Sequence, residues 1–126
     1  MKKSRFVHAR ACANIALAKY WGKNDLALNL PAVPSISMTL DGLVTKTRVR
    51  FDERLEADVV RLDGRDASPA EARRVVELLG RVRDLAKTRV HAEVHSENAF
   101  PTAAGLASSA SGFAALAAAA CGAAGL

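Results

Sequence analysis

Two lysines and a tyrosine lie close together near the N-terminus, and their side chains suit an anionic ligand. Lys19 and Lys23 bracket Tyr20 and Trp21 in the run A-N-I-A-L-A-K-Y-W-G-K. A lysine ammonium acts as a point charge toward phosphate, and a tyrosine hydroxyl adds a directional hydrogen bond. The same residues also suit a purely structural role, as an exposed strand end closed by an aromatic side chain. The run alone leaves both interpretations open.

A second run, of small residues, leads into an alanine-rich segment. It begins at Asn98 and has the order N-A-F-P-T-A-A-G-L-A-S-S-A-S-G, in which Gly105 permits turns that a residue with a Cβ atom resists. Ser108 and Ser109 place hydroxyls at the start of a predicted helix, whose unpaired N–H groups carry partial positive charge. Because small side chains let an anion approach these groups, the run predicts a phosphate-binding loop that is not a Walker A loop. A serine-capped packing helix is the alternative.

The order of residues in these segments resembles one family. The runs N-I-A-L-A-K-Y-W-G-K-N-D, L-N-L-P-A-V-P-S-I-S-M-T-L and H-S-E-N-A-F-P-T-A-A-G-L-A-S-S-A-S-G are similar to the diphosphomevalonate decarboxylase family of the GHMP kinase superfamily. The resemblance covers both ends of the chain, whereas residues 52–89 match only in layout. It implies the α+β fold of a GHMP-kinase N-terminal domain, with a mixed or antiparallel sheet packed against helices and the C-terminal domain absent.

The resemblance implies an enzyme that uses ATP and Mg²⁺. Members phosphorylate the tertiary hydroxyl of mevalonate 5-diphosphate, and loss of phosphate and CO₂ then gives isopentenyl diphosphate. Phosphorylation converts hydroxide into a good leaving group, so the protein mainly positions groups and neutralises charge. Two alternatives stay open: a mevalonate 3-kinase or phosphomevalonate decarboxylase of the same fold, and a non-catalytic module that binds nucleotide or a partner.

Site residues follow from the resemblance by position. Lys19 is expected near the transferring phosphoryl group, Tyr20 and Lys23 at the diphosphate end of the substrate, and Trp21 in the wall of the pocket. Ser96 and Asn98 are expected to contact the nucleotide. The ATP phosphates are expected to lie against the backbone of Ala103, Ala104, Gly105, Leu106, Ala107, Ser108 and Ser109.

The chain also departs from the family pattern. Val33-Pro34 stands where many members carry Asn-Ser. Members continue well past the alanine-rich segment, and their further part carries an aspartate considered essential for the 3-hydroxyl, whose motif neither Asp25 nor Asp41 matches. We therefore expect residues 1–126 to be one partial N-terminal domain that is inactive in isolation. Its missing core predicts a homodimer or association with a complementing chain.

Composition limits the partners. The chain has 126 residues, half of them hydrophobic, and a net charge of +5, which suits one domain. Lysines and arginines are scattered, and one Trp, one Tyr and four Phe provide no aromatic array of the kind that stacks single-stranded nucleic acid. The apolar C-terminal run is shorter than the ~20 residues of a membrane span. We expect neither a nucleic-acid nor a membrane partner.

Cysteines and histidines argue against a metal. Cys12 and Cys121 lie far apart without a CxxC pair, which favours a reduced protein in the cytoplasm. His91 and His95 are four residues apart in a predicted strand, hence roughly 13 Å apart and too distant to share a metal.

Periodicity supplies the elements. Strands are predicted at residues 5–13, 36–40, 43–51 and 90–96, with a strand at 59–62 as the hairpin partner or near neighbour of 43–51. The sequence Ser68-Pro-Ala-Glu71 is a capping box that predicts a helix start, and a second helix is predicted at 107–120. Strands, helix, strand, loop and helix in this order indicate an α+β fold.

Overall fold

The computed structural model describes residues 4–18, 22–28, 30–32, 34–99 and 108–126. Its elements are β1 (Val7–Ala18), β2 (Lys23–Asp25), β3 (Leu30–Pro31), β4 (Ile36–Phe51), β5 (Val59–Leu62), β6 (Arg65–Asp66), α1 (Pro69–Ala86), β7 (Ala92–Asn98) and α2 (Ser108–Ala124). Five strands form a sheet in the order β1-β4-β7-β5-β6, and β2 pairs with β3. Only the β5–β7 pair is parallel, so the sheet is mixed, as the α+β prediction requires.

Strand β4 is the longest element of the sheet and joins two strands that were predicted separately. Residues 36–40 and 43–51 form one strand, because β1 continues to Ala18 and pairs along both halves. The register shifts where Cys12 pairs with Val44 and Ala13 pairs with Leu40, which leaves Asp41, Gly42 and Leu43 as a bulge. The predicted break was therefore a bulge, and the expected end of the first strand at residue 13 was wrong.

Beyond the bulge, β1 and β4 form a two-stranded extension, because β7 pairs only with the 45–51 half of β4. One face of this extension carries three exposed apolar side chains. Ile15 pairs with Met38, and Ile36 lies two residues before Met38 in β4, so these three share a face. We call this surface the hairpin face; its members, which are 36–64% exposed, are Ile15, Ile36 and Met38.

The core lies between the helices and one face of the sheet. The alternation predicted for residues 43–51 is borne out, since Thr45, Thr47 and Val49 are buried. Helix α1 contributes Val75, Leu79 and Val82. The remaining core members are Val60, Ala92, Val94, Leu116, Ala119 and Ala120. Charged residues occupy the opposite face of the sheet, where the Phe6 ring lies 4.9 Å from the guanidinium carbons of both Arg48 and Arg50.

Alanines let α2 pack closely on the sheet. A Cβ atom on Gly122 would lie 3.0 Å from the Cγ1 atom of Val7 in β1, so a larger residue would push the helix away from the strand. The helix ends at Ala124, four residues later than predicted. Among the residues that the structure describes, no helix is long and apolar enough to cross a membrane.

Helix α1 begins as the capping box predicts. The Ser68 hydroxyl accepts a hydrogen bond from the Glu71 amide, and the Glu71 carboxylate accepts one from the Ser68 amide. Residues 59–62 form the predicted strand, β5; of the two relations predicted, β5 is a near neighbour of β4 and not its hairpin partner. Strand β7 lies between them, and Asp63-Gly64 instead forms the turn of a hairpin with β6.

A buried carboxylate joins the start of β5, the C-terminal part of α1 and the start of β7. Asp58, just before β5, accepts hydrogen bonds at 2.9 and 3.0 Å from the guanidinium of Arg83 on α1. It also accepts one at 2.8 Å from the amide of Ala92, the first residue of β7. The side chains of Asp58 and Arg83 are only 6% and 13% exposed, so loss of one charge would leave the other poorly solvated.

We expect the substitution Asp58→Asn to lower the free energy of unfolding by about 3 kcal/mol, because it leaves the Arg83 guanidinium without its buried carboxylate. The control is Asp66→Asn, whose carboxylate is 84% exposed and pairs with Arg61 at 3.3 Å. An exposed pair contributes about 0–1 kcal/mol. Urea unfolding followed by circular dichroism compares the two; equal losses would contradict the role assigned to Asp58.

Acid should destabilise the fold partly through Glu71. Hydrogen bonds from Arg65 and from the Ser68 amide lower the pKa of Glu71 from 4.5 to about 2. Because the unfolded state then binds the proton more readily, this contribution is complete above about pH 5 and is lost as the pH falls toward 2.

The variant Glu71→Gln should therefore show a shallower fall in the free energy of unfolding across that pH range than the unmodified chain. Glu77→Gln is the control, because Glu77 is exposed on the same helix and has no ion pair within the described part of the chain. An unchanged acid slope in Glu71→Gln would refute the assignment.

Candidate functional site

The two segments singled out in the sequence follow strands that run in the same direction but end at different points along the sheet. Strand β1 is antiparallel to β4, and β4 is antiparallel to β7, so β1 and β7 run in the same direction. Ala18, the last residue of β1, precedes the lysine and tyrosine segment, and Asn98, the last residue of β7, precedes the small-residue segment. Because Ala11 and Asn98 both pair with Thr45, β1 extends about seven residues, or roughly 23 Å, beyond the end of β7.

Ser96 and Asn98 are fixed at the end of β7 by buried hydroxyls of β4. The Ser96 hydroxyl lies 2.8 Å from the Thr47 hydroxyl. The Asn98 side-chain oxygen accepts a hydrogen bond of 2.6 Å from the Thr45 hydroxyl. The backbone amide of Asn98 donates a hydrogen bond of 3.0 Å to the Asp63 carboxylate. Both residues are partly exposed, so they remain accessible to a ligand while their hydrogen bonds to β4 fix their positions.

A cavity of about 370 Å³ opens beside these two residues. Its walls come from the β5–β6 turn, the first two turns of α1, the end of β7, and the second and third turns of α2. This volume is within the range of small-molecule sites, and the mixture of apolar and polar walls is typical of them. The lining residues are Leu62, Asp63, Arg65, Ala70, Glu71, Arg74, Val75, Val94, Ser96, Asn98, Gly112, Phe113 and Leu116.

Of the cavity residues, only Ser96 and Asn98 were expected from the sequence. Arg74 was not among the expected site residues, and its guanidinium carbon lies 5.0 Å from the centre of the Phe113 ring of α2. Arg74 has no carboxylate partner within the described ranges, whereas Arg65 is held by Glu71 at 2.9 and 3.0 Å. The sequence contained one indication that Arg74 lies near the core: it precedes Val75, a buried residue, at the border of the apolar stripe of α1.

The structure leaves part of the predicted site outside its described residues. Lys19, Tyr20 and Trp21 fall there, and so do Ala103, Ala104, Gly105, Leu106 and Ala107. Lys23 is described and is exposed at the start of β2. Ser108 and Ser109 are the first two residues of α2, so their amides are among those that no earlier helical turn pairs.

The polar face of the hairpin extension supports the segment that leads to the lysines. The Asn14 side chain donates a hydrogen bond of 2.7 Å to the Ser37 hydroxyl and accepts one of 3.3 Å from the Thr39 hydroxyl. Ser37 thus has a structural role, because it holds β4 to β1 through Asn14.

Within the described ranges, no group of three or more His, Cys, Asp or Glu residues is arranged to hold a metal ion. His95 contacts Glu93 at 2.8 Å, and His91 lies 3.4 Å from Asp58, so the two histidines have separate partners. Glu93 has its pKa lowered by the hydrogen bond from His95 and by that from Arg50. These residues do not form a dedicated Mg²⁺ site.

A nucleotide suits the cavity better than a metal does. Helix α2 begins at Ser108, about one turn before the cavity residue Gly112, and the amides at a helix start attract anionic oxygens. Ser96 and Asn98 provide hydrogen-bonding side chains in the cavity, and Phe113 provides an apolar wall. Arg74 adds a cation at the same wall. The arrangement is therefore able to bind a phosphorylated ligand that also has a flat or apolar part.

Comparison with known proteins supplies the family. The family model described as diphosphomevalonate decarboxylase-like N-terminal domain matches residues 11–126. The diphosphomevalonate decarboxylase of Candida albicans is 44% identical over 118 residues, which are 84% of this chain and 33% of that protein. That of Schizosaccharomyces pombe is 46% identical over 122 residues, or 83% of this chain and 30% of that protein. The chain thus spans about a third of the length of these curated relatives.

Solved structures similar to this chain indicate the same family. Mevalonate diphosphate decarboxylase from Staphylococcus aureus superposes with a TM-score of 0.89 at 45% identity, and that from Enterococcus faecalis with 0.87 at 46%. Each comparison covers 98% of this chain and 38% of the solved one. A third structure, MDDEF in complex with MVAPP, AMPPCP and magnesium, gives a TM-score of 0.86 at 46% identity over the same shares. The chain therefore belongs to the diphosphomevalonate decarboxylase-like family and corresponds to its N-terminal domain.

Proposed function

We propose that this chain is the N-terminal part of an ATP-dependent decarboxylase that converts mevalonate 5-diphosphate into isopentenyl diphosphate, ADP, phosphate and CO₂. The observation that carries the proposal is the cavity lined by Ser96, Asn98 and Phe113, where β7 ends and the small-residue segment begins. The family match over residues 11–126 supports it. So does the related structure in complex with AMPPCP and magnesium.

The nucleotide is assigned to the cavity. Ser96 and Asn98 contact it through their side chains, and the segment from Ala103 through Ser109 receives the phosphates on its backbone amides, as the sequence resemblance implies. Arg74 and Phe113 form the opposite wall and suit the anionic and flat parts of a nucleotide. ATP with Mg²⁺, when bound, supplies the phosphoryl group and neutralises part of its charge.

The substrate is assigned to the segment that follows β1. In this proposal Lys19 lies near the phosphoryl group in transit, and Tyr20 and Lys23 hold the diphosphate end, with Trp21 beside them. Two fixed ammonium groups would attract and orient a multiply charged anion and would stabilise charge that develops during transfer. The described exposure of Lys23 is compatible with such a contact.

Two further functions fit the same fold. Phosphorylation without decarboxylation, or decarboxylation of the 5-phosphate, would need only a different substrate pocket. A non-catalytic nucleotide-binding module is favoured by one observation, since neither Asp25 nor Asp41 matches the aspartate of the family. The Asp25 carboxylate instead accepts a hydrogen bond of 2.9 Å from the Leu28 amide. The aspartate motif of the family is not among these 126 residues, so we propose that they are inactive in isolation.

We expect CO₂ release only when the chain is combined with the segment that follows the matched region in the Staphylococcus aureus relative. In that complex, Asn98→Ala should raise KM for ATP about tenfold because a hydrogen bond to the nucleotide is lost. Lys23→Ala should raise KM for mevalonate 5-diphosphate instead, and Arg10→Ala on the outer sheet face should change neither. Steady-state kinetics with CO₂ detection separates these effects.

Three results would count against this function. Equal or better turnover of mevalonate 5-phosphate would overturn the substrate assignment. Phosphorylation of mevalonate without CO₂ would favour the kinase. Nucleotide binding without any turnover in the complex would favour the non-catalytic module.

The complementing chain is assigned to the hairpin face. Ile15, Ile36 and Met38 present apolar side chains on one side of a strand pair that no other described element covers. The solved relatives are more than twice as long as this chain, so a further segment of such a protein is the occupant we propose rather than a second copy.

Cys12 and Cys121 are both free thiols, which supports a location in the cytoplasm for the assembly.

Met38→Glu should weaken binding of that segment by about tenfold or more, because it buries an unpaired charge in the contact. Leu85→Glu is the matched control, since Leu85 is also apolar and 69% exposed but lies on α1. Light scattering and calorimetry give stoichiometry and affinity. A monodisperse monomer that melts cooperatively and does not bind the segment would refute the contact. A homodimer that Met38→Glu dissociates would assign the face to a second copy of the chain.

A further inference from the structure

Thr45 lies at the centre of β4 and contacts two residues that flank the small-residue segment. Its side chain is almost fully buried, and its hydroxyl is 2.6 Å from the Asn98 side-chain oxygen and 2.8 Å from the Ser111 hydroxyl. Asn98 is the last residue of β7, and Ser111 lies in the first turn of α2. One side chain thus joins the strand before the segment to the helix after it.

The direction of each hydrogen bond follows from the chemistry of a hydroxyl. Thr45 has one hydroxyl proton, and it donates that proton to the Asn98 oxygen, which is an acceptor only. The Ser111 hydroxyl must therefore donate to Thr45. Because Ser111 is also buried, at 2% exposure, this contact fixes the orientation of the first turn of α2 relative to β4.

Thr47 provides an internal comparison. It is as buried as Thr45, and its hydroxyl contacts Ser96 at 2.8 Å. Thr47 and Ser96 are register partners in the β4–β7 ladder, as Thr45 and Asn98 are, so neither of these two bonds adds a new connection between elements. Of the two threonines, Thr45 alone has a second hydroxyl contact among the described residues, with Ser111 of α2, and this contact joins the sheet to the helix. A further backbone bond of 2.8 Å, from the Ala99 amide to the Val44 carbonyl, holds the chain as it leaves β7.

We propose that Thr45 is a positioning residue for phosphate binding: its hydroxyl sets the relative position of the end of β7 and the first turn of α2. The proposal rests on the proposed nucleotide-binding function, because the first amides of α2 are the groups that would meet the phosphates. Such amides stabilise charge well only when they are held in place before the ligand arrives. Thr45 itself lies beneath the site and is assigned no contact with the nucleotide.

The first test is affinity for magnesium-AMPPCP, measured by calorimetry on the complex with the Staphylococcus aureus segment. Thr45→Val removes the hydroxyl at nearly constant volume and should weaken binding between tenfold and about a hundredfold. Thr45→Ser keeps the hydroxyl and should restore affinity to within about twofold. Val82→Ala, a remote core substitution, lowers stability but should leave affinity unchanged.

The second test needs no nucleotide and uses the chain alone. Hydrogen exchange at the amides of residues 110–114 should be faster in Thr45→Val than in Thr45→Ser, and Val82→Ala should not reproduce the local difference. Ser111→Ala removes the same link from the helix side and replaces Thr45→Val if that variant does not fold. Absence of nucleotide binding in the unmodified complex would refute the proposed function, whereas equal exchange in the Thr45 variants would refute the positioning role.

Discussion

A hydroxyl buried at the centre of β4 constrains the whole site. Thr45 occupies a position that excludes water, and an unpaired hydroxyl there would cost about 1–3 kcal/mol. Its partners, Asn98 and Ser111, are 53 and 66 residues away along the chain, so satisfying this one group brings a strand end and a helix start together. Neither element could shift relative to β4 without losing a buried hydrogen bond. The geometry of the cavity is a consequence, because two of its walls are the elements that Thr45 joins.

The rest of the fold adds to this arrangement from outside. The capping box of α1 and the Arg65–Glu71 pair fix a third wall of the cavity, and Arg74 meets Phe113 across it. Asp58 holds the far ends of β5, α1 and β7 together, away from the cavity. Because β1 and β7 run in the same direction, the two segments singled out in the sequence follow strand ends that point the same way, with β1 extending about seven residues further.

Local sequence signals predicted the elements that depend on local interactions. The start of α1 follows from the capping box, and the alternation around Val49 follows from burial of one face of β4. The bulge at Asp41–Leu43 was not predictable, because it depends on where β1 pairs along β4 rather than on the residues of the bulge. The position of β7 between β4 and β5 is likewise a long-range pairing. Arg74 was missed since its role depends on Phe113, a residue of the other helix. Ser96 and Asn98 were found only because their order resembles a family, as no local rule distinguishes them from other polar residues at a strand end.

Amide chemical shifts of the uniformly labelled complex, recorded during titration with magnesium-AMPPCP, would show whether a nucleotide binds between the end of β7, the start of α1 and the N-terminal half of α2. Saturable shifts confined to Ser96, Asn98, Arg74, Phe113 and the first residues of α2, with none at His8 or Arg10 on the opposite sheet face, are the expected result. Saturable shifts centred elsewhere in the protein, with these residues unmoved, would contradict it.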